Sequence, residues 1–126
     1  MTHIRYRADG RAHSLELCGH ANYAAEGPDI VCAGLSAITY ALMGFLMNLD
    51  SGAPARCRDG RGKAAIVCPR SPRADTAFEL AMIGYMQIAK KYPDHVHIHI
   101  SAQGGGSREQ TLQTGPAVTG DSRERP

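Results

Sequence analysis

Apolar and polar residues alternate with a period of two in the first, second and last of five short segments of the chain, which predicts β-strands there. The third and fourth segments are predicted as strands because they flank a turn. The Asp9-Gly10 turn signal between the first two segments predicts a β-hairpin. The glycine-rich turn Asp59-Gly60 between the third and fourth segments predicts a second one. The predicted strands cover residues 2–7, 13–18, 55–58, 63–68 and 96–100.

Two segments predict helices. Residues 74–91 carry apolar side chains at helical spacing with charged ones outside that stripe. Residues 30–49 carry no charge, with Asp29 as the predicted N-cap. The element order is therefore ββαββαβ, which predicts an α+β fold: a two-layer domain with a mostly antiparallel sheet and two helices on one face.

The uncharged helix is long enough to cross a membrane. Its flanks carry Asp29 and Asp50 without the Lys/Arg asymmetry of membrane proteins, and small polar residues dilute its hydrophobicity. We therefore expect a helix buried on most sides and no membrane contact. Its apolar surface is also compatible with packing against a second helix or a second subunit.

Composition sets the domain count and the compartment. A chain of 126 residues is the size of one domain. Residues 1–100 form that predicted domain, and residues 101–126 are so polar that we expect a disordered tail. The net charge of +2 and the absence of Trp argue against direct nucleic-acid binding. Four cysteines without an apolar signal segment indicate reduced thiols and a cytoplasmic location.

One cysteine combines several features of a nucleophile. Cys32 lies three residues after the predicted cap Asp29, where free backbone N–H groups and the helix dipole favour a thiolate. His20 lies in the loop that leads into the same helix, with Gly19 and Gly27 as its predicted hinges. A loop this short can bring the imidazole to Cys32, which would pair a nucleophile with a general base.

Other cysteines and histidines permit metal binding. His95, His97 and His99 recur on one face of the last strand, but no carboxylate or cysteine completes a ligand set. Cys18 and Cys32 with His20 form an incomplete zinc set without Cys-x-x-Cys spacing. We therefore predict no metal and no cofactor. The remaining cysteines, Cys57 and Cys68, are predicted to fill the core.

Two linked motifs resemble those of the ribosomal-processing cysteine protease family, Prp. The first is Gly19-His20-Ala21. The second runs from Gly27-Pro28-Asp29 through Ile30-Val31-Cys32-Ala33, with Ser36 one turn later. The resemblance covers about residues 2–100. It implies a homodimeric, cytoplasmic α+β endopeptidase that removes an N-terminal extension from a large-subunit ribosomal protein, number twenty-seven of that subunit.

The resemblance also implies roles for individual residues. Cys32 would be the nucleophile and His20 the general base. Asp29 matches an acidic family position and also suits a helix cap, and Ser36 matches the motif serine in a supporting role. Two alternatives remain open at this stage: a non-catalytic module that binds a ribosome-associated partner, and a zinc-binding protein.

Overall fold

The computed structural model describes residues 1–19, 26–49, 55–60, 62–102 and 108–112, with the backbone alone for residues 26–29, 102 and 108–112. It confirms the α+β class and the order ββαββαβ, and it adds one strand after the last predicted one. The elements are β1 (Thr2–Ala8), β2 (Ala12–Cys18), α1 (Glu26–Met47), β3 (Arg56–Gly60), β4 (Lys63–Pro69), α2 (Pro72–Lys91), β5 (Val96–Ala102) and β6 (Arg108–Leu112).

The strands form one sheet in the order β3-β4-β2-β1-β5-β6. Both predicted hairpins are present: β1 pairs antiparallel with β2, and β3 with β4. The pairing of β1 with β5 is the parallel one, with His3 opposite His97. Both helices lie between β1 and β5 in the sequence, so this pairing joins the two ends of the domain.

One face of the sheet packs against both helices. Ile4, Leu15, Ile66 and Ile98 project from four different strands and are almost fully buried. They belong to a single hydrophobic cluster with the inner faces of α1 and α2, which is the two-layer arrangement expected from the pattern. The helix residues in that cluster are Val31, Leu35, Leu42, Met43, Leu46, Ala74, Phe78, Ala81, Met82, Tyr85 and Ala89.

Helix α1 packs against the core with one side only. Its segment Ile30–Met47 passes a membrane-span test of length and composition, but soluble core helices pass the same test. Val31, Leu35 and Leu46 are each less than 4% exposed and pack in the hydrophobic cluster. Only a third of this segment is buried, and Ile30 and Met47 are more than half exposed, so the prediction of a helix buried on most sides was wrong.

The start of α1 differs from the prediction. The helix begins at Glu26, so Asp29 lies in its first turn and is not the N-cap. Proline is tolerated in a first helical turn, where a backbone N–H has no intrahelical acceptor, so Pro28 does not mark the boundary that the sequence suggested. Cys32 consequently lies in the second turn. The free N–H groups of the first turn therefore do not lie at Cys32, contrary to the prediction.

The predicted disordered tail includes ordered residues. Strand β5 continues through Ser101 to Ala102, and Arg108–Leu112 forms β6, which pairs antiparallel with β5. A strand this polar is held by backbone hydrogen bonds to its neighbour and leaves no apolar alternation in the sequence. Residues 103–107 and 113–126 lie outside the described part of the chain.

A buried hydroxyl pair joins the two helices. Thr39 of α1 is 3% exposed, and its Oγ1 donates to the Leu35 carbonyl oxygen over 2.8 Å. The same oxygen lies 2.6 Å from the Tyr85 hydroxyl of α2 and accepts its proton. Burial raises the pKa of Tyr85 to about 12, so that hydroxyl stays protonated. Both polar groups are thereby satisfied inside the core.

A second polar network anchors β2 to the start of α2. His13 is 3% exposed, and its Nε2 lies 2.6 Å from Asp75 Oδ1. A carboxylate only accepts, so Nε2 donates to it. The other ring nitrogen, Nδ1, forms a hydrogen bond with the Tyr6 hydroxyl over 2.7 Å. The Arg70 guanidinium donates two hydrogen bonds to the same carboxylate, from Nε over 2.8 Å and from Nη2 over 3.1 Å. The His13 ring also stacks on Phe78 at 4.2 Å.

This network predicts an acid-sensitive contribution to stability. The Arg70 guanidinium, followed by His13, lowers the pKa of Asp75 from 3.8 to about 2. The stabilisation is therefore complete above about pH 4 and is lost as the pH falls toward 2. We expect Asp75→Asn to flatten the fall of unfolding free energy between those pH values, measured by urea unfolding.

The exposed Asp94, in the turn before β5, provides a matched control. Asp94→Asn should keep the wild-type acid dependence. Asp75→Ala should in addition leave the buried His13 N–H without its acceptor, at a cost of about 1–3 kcal/mol at neutral pH. Equal acid dependence in Asp75→Asn and the wild type would contradict the account.

Candidate active site

Cys32 lies at a cleft between the N-terminal half of α1 and one end of the sheet. Its thiol is free and half-buried. The cleft has a volume of about 380 Å³ and is lined by residues from β1, β2, α1 and the β3–β4 hairpin. The lining residues are Thr2, Leu17, Gly19, Cys32, Leu35, Ser36, Thr39, Tyr40, Asp59, Gly60, Gly62, Lys63 and Ala64.

Polar side chains follow Cys32 along one face of α1. Ser36 and Tyr40 lie one and two turns after it, and all three line the cleft. The Tyr40 hydroxyl donates to Asp59 Oδ2 over 3.1 Å, which links the helix to the β3–β4 hairpin across the cleft. This hydrogen bond raises the pKa of Tyr40. The cleft therefore contains the Cys32 thiol, the hydroxyl groups of Ser36 and Tyr40, and the Asp59 carboxylate.

Gly19 directs the chain out of β2 at the edge of the cleft. Its φ is +115°, a conformation that side chains rarely adopt. Its N–H donates to the Gly62 carbonyl oxygen over 3.0 Å. An added Cβ would lie 2.3 Å from the Met1 carbonyl oxygen, so only glycine fits here. The backbone conformation and the close approach of Met1 therefore require glycine at this position.

The other predicted site residues lie partly in the cleft, partly in helix α1 and partly outside the described residues. Ser36 is exposed and lines the cleft with Cys32, as a supporting residue would. Gly27 and Asp29 lie in the first turn of α1, so Gly27 is part of a helix and not a loop hinge. His20 and residues 21–25 lie outside the described residues, and so does the side chain of Asp29.

The remaining cysteines separate by position. Cys18 follows the cleft residue Leu17 in β2, and successive strand residues alternate between faces, so Cys18 lies on the opposite face of the sheet. Cys57 and Cys68 lie in the β3–β4 hairpin against the core, and burial raises the pKa of both thiols. The prediction that these two fill the core is confirmed.

A larger cavity of about 830 Å³ lies between the two helices, away from Cys32. Phe45 and Leu80 contribute to its apolar lining, and Arg73, whose guanidinium lies 5.0 Å from the Phe45 ring centroid, is its charged residue. Among the described residues, its lining contains no cysteine, histidine or carboxylate.

Sequence reasoning missed two residues of that cleft. Tyr40 lies eight residues after Cys32, so helical spacing alone places it on the same face, and the signal was available. Asp59 was assigned only to a turn. Its approach to Tyr40 depends on how the hairpin packs beside α1, which no local pattern encodes.

A family model and a sequence relative that match this chain are both described as the cysteine protease Prp. The family model described as cysteine protease Prp matches residues 1–97. The ribosomal processing cysteine protease Prp of Bacillus subtilis strain 168 is 41% identical over 56 residues. That match covers 39% of this chain and spans half (50%) of the length of the relative.

Solved structures share the fold at low identity. SMU.848 from Streptococcus mutans superposes with a TM-score of 0.68 at 24% identity, covering 82% of this chain and 96% of that one. The ribosomal processing protease Prp of Staphylococcus aureus, in complex with a substrate peptide, gives 0.66 at 18% identity, covering 79% and 99%. The form with a covalently linked product peptide gives 0.67 at 20% identity with the same coverage. Since the family model matches most of the sequence, the chain belongs to the family described as cysteine protease Prp.

Proposed function

We propose that this chain is a cysteine endopeptidase with Cys32 as its nucleophile. The observation that carries the proposal is the free, half-buried Cys32 thiol at a polar cleft, on a rigid helix whose inner face is anchored in the core. A nucleophile needs exposure on one side and fixed geometry on the other, and this position supplies both. Membership of a cysteine protease family supports the assignment.

We further propose His20 as the general base. Its neighbour Gly19 lines the same cleft as Cys32 and is fixed by a hydrogen bond to Gly62. His20 follows Gly19 directly in the sequence, which supports the assignment. An imidazole is the side chain best suited to take a proton from a thiol near neutral pH.

The reaction follows from these two groups. The Cys32 sulfur attacks the carbonyl carbon of the scissile peptide bond while His20 takes the thiol proton. The tetrahedral intermediate collapses, His20 gives its proton to the leaving amine, and a thioester remains on Cys32. His20 then takes a proton from water, whose oxygen attacks the thioester carbonyl. Collapse of the second intermediate releases the carboxylic acid product and restores the thiol.

The cleft lining supports a peptide as the substrate. Tyr40 and Ser36 offer hydroxyl groups, while Asp59 and Lys63 contribute both signs of charge to the same cleft. Backbone amides and carbonyl groups of an extended segment find hydrogen-bond partners in such a lining. We propose the N-terminal extension of the host's large-subunit ribosomal protein twenty-seven as that segment. The S. aureus relative, whose structure contains a substrate peptide, supports a peptide ligand.

The experiment that tests this function uses the purified full chain and the host's full-length ribosomal protein. Intact-mass spectrometry before and after mixing should show loss of one N-terminal segment at a single site. An unchanged mass, with the chain folded by circular dichroism, would contradict the substrate assignment. Retained binding without cleavage would favour a non-catalytic binding module.

The state of the cysteines supports a reducing compartment. All four thiols are free, and the nucleophile must remain so to attack a carbonyl. Disulfides are rare in the cytosol and common outside it. We propose a cytoplasmic location, where newly made ribosomal proteins are found.

We also propose that the chain forms a homodimer through the helical layer. Leu80 is 70% exposed and Phe45 is 39% exposed, and both line the apolar cavity between α1 and α2. An exposed apolar surface that continues into a cavity is typical of a protein–protein interface. A second copy is the natural occupant, because a self-complementary helix pair buries the same surface twice.

The dimer proposal predicts the effect of one substitution. Leu80→Glu places a charge in the proposed interface and should convert a dimer to a monomer in analytical ultracentrifugation. Val67, which is 37% exposed on β4 and does not line that cavity, provides the matched control. Val67→Glu should keep the wild-type mass, and a monomeric wild-type chain would contradict the proposal.

A further inference from the structure

Three histidines meet on the face of the sheet opposite the helices. The sequence suggested a row of His95, His97 and His99, but β5 begins at Val96 and His95 precedes it. His97 and His99 share the outer face of β5, and their rings stack at 4.4 Å with 5° between planes. His3 of β1 lies directly opposite His97 in the parallel pairing. The third imidazole thus comes from the other end of the domain.

The ring nitrogens of these residues converge. One ligating nitrogen from each of the three histidines lies within 4.8 Å of the others. His3 Nδ1 and His99 Nε2 are 3.4 Å apart. Two nitrogens bound to one tetrahedral zinc ion at Zn–N distances of about 2.0–2.1 Å lie about 3.4 Å apart. The spacing of this pair therefore matches one edge of a coordination tetrahedron. The rings are stacked, so binding requires them to turn about their side-chain torsions until their lone pairs point to one ion.

An unsatisfied nitrogen supplies a second observation. His97 Nε2 is buried and has no hydrogen-bond partner in the part of the chain that the structure describes. Buried polar atoms in folded proteins almost always have a partner. In the imidazole tautomer with its proton on Nδ1, Nε2 carries a free lone pair, which is what a metal ion requires.

We propose that His3, His97 and His99 bind one zinc ion, with a solvent molecule or an anion as the fourth ligand. Three imidazoles with one open position form a well-known zinc arrangement, and no carboxylate or thiolate belongs to the cluster among the described residues. Arg5 lies opposite His99 in the strand register, and its positive charge favours an anionic fourth ligand over a neutral one.

This site is separate from the catalytic cleft. Thr2 lines the cleft, and its neighbour His3 points to the other face because strand side chains alternate. The ion would join β1 to β5 across the parallel pairing. Its expected role is therefore to fasten the two ends of the domain, and the proposal does not depend on the proteolytic function.

The test measures zinc binding to the full chain. Equilibrium dialysis against zinc chloride, read by elemental mass spectrometry, should give at least one equivalent for the wild type. His3→Ala and His99→Ala should each remove one equivalent or weaken binding by more than about 10-fold. His95→Ala is the matched control, since His95 lies outside the cluster, and it should bind like the wild type. If His97→Ala fails to fold, His97→Gln replaces it, because glutamine is similar in size to histidine but lacks the imidazole ligand.

Cobalt substitution distinguishes imidazole from thiol ligands. Cobalt(II) bound to the three histidines should show visible ligand-field bands without a sulfur-to-cobalt charge-transfer band. Zinc should also raise the melting temperature of the wild type and of His95→Ala, but not of His99→Ala. Equal zinc binding in His99→Ala and the wild type, or a thiolate spectrum that Cys32→Ala abolishes, would overturn the proposal.

Discussion

Cys32→Ala should lower the rate of substrate cleavage by at least about 10⁴-fold, because removal of a covalent nucleophile leaves only binding and electrostatic effects. The substitution exchanges one small side chain for another at a half-buried position, so the fold should persist. The measurement is the single-turnover rate of ribosomal-protein shortening, read by intact mass. Unchanged circular dichroism and urea unfolding would show that the loss is chemical.

Cys18→Ala provides the matched control for this prediction. Cys18 is also half-buried and free, but it lies on the sheet face opposite the cleft. Its removal should leave the cleavage rate within about twofold of the wild type, as expected for a surface substitution away from the site. Equal rate losses in the two variants would indicate that a general effect on the thiols or the fold, and not nucleophilic attack, explains the Cys32 result.

Gly19→Ala should destabilise the protein and impair catalysis together. The backbone at Gly19 has a φ of +115°, and forcing alanine into such a region costs about 1–3 kcal/mol. The added Cβ would also lie 2.3 Å from the Met1 carbonyl oxygen and 3.2 Å from Thr2 Cα. Both neighbours are backbone atoms that cannot rotate away, so the chain itself must shift. That shift would move the residue that follows, the proposed base His20.

Gly10→Ala is the control for this substitution. Gly10 lies in the β1–β2 turn with nothing within 4 Å of a built Cβ, and its φ is not positive. We expect a change within about 0.5 kcal/mol in its unfolding free energy, measured by urea denaturation. Gly19→Ala should also lose more activity at saturating substrate than its folded fraction explains. If the two variants were equally stable and equally active, the structural role assigned to Gly19 would be wrong.

Local patterns predicted most of the fold because each element carries its own signal. The alternation of Ile4 with charged neighbours marked β1, and the stripe through Phe78 and Tyr85 marked α2. Both signals arise from burial of one face, and both faces are buried in the structure. The hairpins followed from turn signals between strands of the right length.

The features that sequence did not predict depend on contacts or on backbone geometry. The start of α1 at Glu26 is compatible with Pro28 in the first turn, which a boundary rule based on proline alone excludes. Strand β6 is polar and pairs through its backbone, so it leaves no periodic signal. His3 meets His97 only because β1 and β5 pair in parallel across nearly the whole domain.

In the candidate site, too, residues with a local sequence signal could be predicted, and a residue that depends on a long-range contact could not. Cys32 and Ser36 could be selected from helical spacing and a motif, and both line one cleft. Tyr40 lies on the same helix face and could have been added by the same rule. Asp59 could not, because its hydrogen bond to Tyr40 requires the β3–β4 hairpin to pack beside α1.

The measurement that tests the central claim most directly is detection of the covalent intermediate. Wild-type enzyme mixed with its ribosomal-protein substrate and quenched in acid within one turnover should carry a thioester-linked fragment. Mapping by tandem mass spectrometry should place the fragment on the peptide that contains Cys32, and Cys32→Ala should carry none. Cleavage of the substrate with no adduct at any time, or an adduct on Cys18 in its place, would contradict the assignment of Cys32 as the nucleophile.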